Sequence, residues 1–123
     1  MAGKKPYRID ERLIEFAAAV IKVTEALPSS PAGRYVSGQL VRSGLAPVLQ
    51  YGEAQAAESP DDFIHKMKVA LKELRETFNA LRVIRRMNWI DLGEIEDNIN
   101  ENNELISIFI KSIETARNNN NKK

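Results

Sequence analysis

Apolar residues recur at three-four spacing in four separate stretches of this chain, and alternating β-branched runs bounded by turns are nearly absent. The pattern predicts four helices and no sheet. The first should run from about Asp10 to about Leu27, with Asp10 as N-cap. Leu13, Ala17, Val20, Thr24 and Leu27 share its apolar stripe, widened by Phe16 and Ile21. The segment 28–33, rich in Pro, Ser and Gly, stops it. The second should begin near Tyr35 and last to about Ala57. Pro47 lies inside it and allows two readings: one continuous helix kinked at the proline, or a fresh helix after a break at Ser43-Gly44. The continuous, kinked form is the expected one.

The third helix has the clearest start. Ser59 can cap, Pro60 suits the first helical position, and Asp62 stands where a capping-box acid would. Phe63, Met67, Ala70, Leu74, Phe78, Leu81 and Ile84 form its stripe, which ends near Met87-Asn88. The fourth should start near Asp91, with Glu94 as capping partner, and carry Ile95, Ile99, Ile106, Phe109 and Ile113. Short connections between long helices make neighbours antiparallel. The expected fold is therefore all-α, an antiparallel up-down-up-down four-helix bundle over residues 10–117. Residues 1–9 are expected to be an N-terminal arm and 118–123 a disordered polar tail. A 25-residue helix is about 37 Å long, so the bundle should be a rod.

Helix two carries two stripes at heptad-like spacing. Val41, Leu45, Val48 and Gly52 form an apolar one expected to pack into the bundle. Beside it lie Gln39, Ser43, Ala46, Gln50 and Glu53, small or polar throughout. This second face is either an ordinary solvated surface or a close helix contact between subunits. Small residues let backbones approach, and Gln and Ser supply directional hydrogen bonds. Arg42 and Glu53 could pair across that contact or within it, fixing register more than adding stability.

Composition narrows the class. With 43% hydrophobic and 28% charged residues, the 123-residue chain suits one soluble globular domain rather than a disordered one. The formal net charge of +1 gives no global field that would mark a nucleic-acid binder. There is no cysteine, which excludes disulfides, thiolate nucleophiles and Cys-based zinc sites. The basic N-terminus is not followed by a signal-peptide core, because Asp10, Glu11, Arg12 and Glu15 interrupt it. The apolar run 16–21 is too short to span a bilayer. The expected location is cytoplasmic, without membrane contact.

Catalysis finds little support. His65 is the one histidine, so a His-based metal pair or a His-His acid-base couple is impossible. It reads as a partly exposed or hydrogen-bonded helix residue. There is no glycine-rich phosphate loop, and a di-metal carboxylate bundle would need Glu-x-x-His on two helices. No enzyme, cofactor or metal site is expected. Charge segregation is more informative. Helix three carries Lys66, Lys68, Lys72, Arg75, Arg82, Arg85 and Arg86 against Glu73 and Glu76. The first half of helix four carries Asp91, Glu94, Glu96, Asp97, Glu101 and Glu104. The favoured reading is that the two helices neutralise each other along a shared edge. The other is a basic stripe for RNA phosphates, using Lys66, Lys72, Arg75, Arg82 and Arg85. Trp89, in the turn before helix four, reads as a plug at the bundle end rather than a base-stacking platform.

Several segments resemble one family: Gln39-Leu40-Val41-Arg42-Ser43, Gly52-Glu53-Ala54, Ala57-Glu58-Ser59, Asp62-Phe63-Ile64-His65-Lys66, and the run 70–77. The chain is similar over nearly its whole length to the four helix bundle proteins first described from intervening sequences within bacterial 23S ribosomal RNA genes. It departs from them at Ala46, Gln50 and Gly52, where members usually show Ser, Asn and Ala. The resemblance implies an antiparallel four-helix bundle that assembles into ring-like homo-oligomers, typically pentamers, without an established activity. It also implies an alternative, because one related branch serves as accessory proteins of diversity-generating retroelements and binds RNA and a reverse transcriptase. On this reading the candidate oligomer interface is Gln39, Arg42, Ser43, Ala46, Gln50 and Glu53. The partner is a second copy of the chain, with RNA or another protein as the alternative.

Overall fold

The structure, a computed structural model, describes residues 8–122. These form four helices, α1 (Ile9–Glu25), α2 (Pro31–Gln55), α3 (Pro60–Met87) and α4 (Leu92–Asn121), with no strand among the described residues. Consecutive helices pack as neighbours, and α1 meets α4 least. This is the expected all-α four-helix bundle.

Local chemistry explains most boundaries. Ser59 accepts from the Asp62 N–H at 3.1 Å, and Asp91 accepts from the Glu94 N–H at 3.2 Å. Asn88 closes α3 in the left-handed conformation, at φ 57°. Ser30 caps α2 through the Gly33 N–H at 3.1 Å, with Pro31 in the first helical position. This helix therefore starts four residues before the expected Tyr35. It runs unbroken through Pro47, so no fresh helix begins there. At α1 the expected cap is corrected: Arg8 is the N-cap and makes no side-chain cap bond, while Asp10 lies in the first turn. The expected disordered tail is corrected too. Helix α4 continues through Asn121, and Asn120 Nδ2 donates to Asp61 Oδ1 at 3.0 Å. Residues 111–121 contain neither Gly nor Pro to stop the helix. Of the expected arm, residues 1–7 lie outside the described residues.

The core is built by Leu13, Phe16, Val20 and Val23 of α1, Met67, Leu74, Leu81 and Ile84 of α3, and Ile95, Leu105, Phe109 and Ile113 of α4. Helix α2 contributes differently. Its buried residues are Gly33, Leu40, Ser43, Gly44, Pro47 and Ala54. The apolar stripe expected there is displaced: Leu45 and Gly52 are exposed, and Val41 and Val48 are half-buried. Small residues face inward because α2 lies close to α1. A Cβ on Gly44 would stand 2.8 Å from Val20 Cγ1. Helix α4 buries two amides the apolar pattern had passed over, Asn98 and Asn102.

The weak α1–α4 edge is held by charge. Arg12 donates to both oxygens of Glu101, at 3.1 and 2.7 Å, and to Glu104 at 3.2 Å. The Arg12 and Glu101 side chains are mostly buried, and the Glu101 hydrogen bond raises the guanidinium's affinity for its proton. Removing one partner of such a pair leaves the other without compensation. We predict that Arg12→Met lowers unfolding stability by about 1–3 kcal/mol. Urea denaturation measures it, and an unchanged midpoint would contradict this role.

Candidate functional site

The six residues expected to join subunits mostly meet α3 of their own chain. Arg42 Nη1 donates to both Glu73 oxygens at 2.9 and 2.7 Å, and Nη2 reaches Glu76 at 3.3 Å and Gln39 Oε1 at 3.3 Å. Ser43 is buried and its hydroxyl shares a 2.8 Å hydrogen bond with Thr77. Glu53 lies 3.6 Å from Lys66. Ala46 and Gln50 are half-buried between these contacts. Within the chain Arg42 and Glu53 do not pair with each other: each side chain reaches a different partner on α3. This stripe is the α2–α3 seam within one chain, because it flanks the small inward face of α2. Along it, burial pushes the Glu73 carboxyl above its ordinary range, aided by the hydrogen bond with Glu76. That same bond holds Glu76 low, with Arg42 contributing.

The side of α2 that no helix of the chain covers carries large exposed apolar residues beside the charged Arg34 and Arg42. Tyr35 is 69% exposed, Leu49 66% and Leu45 37%. Gly38 and Gly52 lie on this side, and a Cβ at either would meet nothing within 4 Å. Beside Gly52 a groove of about 560 Å³ opens between α1 and α2, with Ile9, Ile14, Val48 and Tyr51 among its walls. Tyr51 is anchored from below, its ring centroid 5.9 Å from that of Phe109. Glycine at two exposed positions inside a helix was the available sequence signal for this face. Of the two, Gly52 was read as part of the core stripe instead.

The basic residues of α3 separate into two sets. Lys66 is paired with Glu53 and Asp62, the latter at 3.5 Å, and Arg85 with Glu96 at 3.1 Å. Lys72, Arg75 and Arg82 point outward. So do Lys68 and Arg86, which the sequence reading had left out of the candidate RNA contacts. Together with Asn79 they follow one helix face at successive steps of four, three, four, three and four residues. Two shallow depressions lie along it and meet at Asn79. One, about 330 Å³, holds Lys68, Lys72 and Arg75 together with Glu76, and the other, about 320 Å³, holds Arg82 and Arg86 together with Arg85. Arg82 lies over the Phe78 ring, 5.7 Å from its centroid, and donates to Asn79 at 3.3 Å. The expected neutralisation between α3 and α4 is mostly unrealised. Among the described residues Arg85–Glu96 is the ion pair that joins these helices, and Glu101 and Glu104 turn to Arg12.

Other chemistry is sparse. Among the described residues no three His, Asp or Glu side chains converge as a metal site, and no helix is long and apolar enough to cross a membrane. His65 is exposed, and Trp89 packs half-buried against the core at the α3–α4 turn.

Comparison with known proteins agrees with this architecture. No curated protein matches the chain. A crystal structure of a protein with unknown function from the S23 ribosomal protein family of Bacteroides thetaiotaomicron is similar at 29% identity, with a TM-score of 0.80. The likeness covers 86% of this chain and 98% of that one. The family model described as 23S rRNA-intervening sequence protein matches residues 6–111. With that match spanning most of its length, and with the bundle it folds into, the chain belongs to the 23S rRNA-intervening sequence protein family.

Proposed function

We propose that this protein is a non-enzymatic, cytoplasmic structural or interaction module that works as a homo-oligomer assembled through the uncovered face of α2. The observation that carries this reading is the exposure of Tyr35, Leu45 and Leu49 beside two glycines at which a Cβ would meet no described atom within 4 Å. Glycine inside a helix costs roughly 1 kcal/mol relative to alanine. At Gly38 and Gly52 that cost has no return within the monomer, whereas a second helix could approach closely there. The assembly is the ring-like pentamer that the family resemblance implies. Light scattering at micromolar concentration should give a multiple of the 13.9 kDa chain. Leu45→Glu with Leu49→Glu should reduce it to monomer while the helical circular dichroism persists. Gly38→Ala and Gly52→Ala should each weaken assembly, yet stabilise the dissociated chain by up to about 1 kcal/mol. A monomeric wild-type protein would refute the proposal.

A second reading is favoured by the outward row of unpaired cations on α3. In it the module is an accessory protein that binds RNA. Gel-shift or anisotropy measurements at low salt test it, and absence of any binding would exclude it.

A further inference from the structure

We propose that the outward face of α3 binds the phosphate backbone of nucleic acid without reading its bases, through Lys68, Lys72, Arg75, Arg82 and Arg86. This rests on the nucleic-acid reading above and specifies its ligand chemistry and contacts. From Lys68 to Arg86 the row covers about 27 Å of helix. None of the five cations makes an ion pair with a described acid, whereas Lys66 and Arg85 on the flanks are each held by carboxylates. Lys68 and Lys72, Lys72 and Arg75, and Arg82 and Arg86 are three or four residues apart. Like charges at that spacing destabilise a helix; Glu76 offsets this in part at Lys72, and a polyanion would relieve the rest.

The face offers no platform on which bases could stack. Phe78 is half-buried beneath Arg82, and Trp89 is half-buried at the α3–α4 turn. No aromatic platform is left on this row for a base to stack on. The Asn79 amide oxygen already accepts from Arg82. What remains is a line of positive charge, which suits phosphates irrespective of sequence. A second copy of the chain is a poorer occupant. Its unpaired acids at the start of α4, Asp91, Glu94 and Asp97, extend over only about 9 Å of helix.

Fluorescence anisotropy with labelled duplex RNA, duplex DNA and single-stranded RNA of several sequences, titrated against salt, tests the assignment. Affinity should vary only a few-fold among sequences. For contacts by one chain, log K should fall against log salt with a slope of about 4, from five phosphate contacts at roughly 0.7–0.9 each. Lys68→Gln and Arg86→Gln should each lower that slope by nearly one contact, and the double change should weaken binding roughly tenfold or more. Lys66→Gln and Arg85→Gln should leave it within about two-fold. Strong sequence preference, or losses at Lys66 and Arg85 equal to those at Lys68 and Arg86, would overturn this assignment and leave the nucleic-acid reading standing. No binding of any probe at low salt would overturn both. Dissociation of the oligomer by the Lys68 and Arg86 changes would identify the face as a contact between copies and overturn the proposal.

Discussion

Asn102→Asp is expected to lower unfolding stability by about 3–5 kcal/mol at neutral pH. Asn102 is fully buried on α4. Its Nδ2 donates to the Leu74 carbonyl at 3.1 Å, and its Oδ1 has no partner among the described residues. An ionised carboxylate there would replace the donor with negative charge facing a carbonyl oxygen, and it would bring no cation with it. Burial raises the pKa of such a group, so the folded value lies above the unfolded one, near 3.9. The folded state then binds the proton more tightly, and stability falls as pH rises through the raised value. Below about pH 3.9 the protonated acid can again donate to Leu74, and most of the deficit relative to wild type should disappear. Asn102→Leu is the control. It removes both the bond and the orphaned oxygen, so its cost should stay within about 1 kcal/mol. Urea titrations of the three proteins at neutral and acid pH decide the matter. A loss below about 1 kcal/mol for Asp, without pH dependence, would contradict the burial of this site.

Gly33→Ala is expected to cost about 3 kcal/mol, a large part of a typical domain's 5–15 kcal/mol. An added Cβ would collide with the Pro28 carbonyl oxygen and lie 2.9 Å from its carbon. Both are backbone atoms, so no rotamer change relieves the clash. The 28–30 loop must move away, and Ser30, whose hydroxyl accepts from the Gly33 N–H, moves with it. The helix cap is then weakened at the same time. Gly44→Ala should cost less, about 1–3 kcal/mol, because its clash is with the Val20 side chain. Gly52→Ala meets open space and should cost the single chain nothing. Denaturation midpoints of the Leu45→Glu, Leu49→Glu background carrying each change give the ranking. Equal effects at positions 33 and 52 would be incompatible with the packing of the 28–33 turn.

The starts of α3 and α4 were legible because capping is local: Ser59-Pro60-Asp61-Asp62 and Asp91 through Glu94 act within one helical turn. Ser30-Pro31 carries the same chemistry as Ser59-Pro60, yet it was read as part of a terminator because Pro28 and Gly33 stand beside it. The polar end of α4 was read as disordered from its asparagines. One of them, Asn120, instead bonds to Asp61 across the bundle. Asn102 left a visible gap in the α4 stripe between Ile99 and Ile106, but a gap does not announce a buried amide.

The candidate surfaces were legible in part, for one reason. Helical spacing shows which residues share a face and leaves open which way that face turns. Lys72, Arg75 and Arg82 belong to the outward row, while Lys66 and Arg85, only a fraction of a turn away, face the acids of neighbouring elements. On α2 the same ambiguity displaced both stripes, since small residues can face either a close neighbour or water.

From the sequence alone follow the number of helices, their order, the absence of strands and the family, because periodicity, capping and motif are written in residues close along the chain. The rotation of α2 and α3 about their axes, the burial of Ser43 and Asn102, and the choice of Lys68 and Arg86 over Lys66 and Arg85 came only from the tertiary structure. Each depends on which helix lies alongside, and the interactions that decide it join residues from 11 to 34 positions apart.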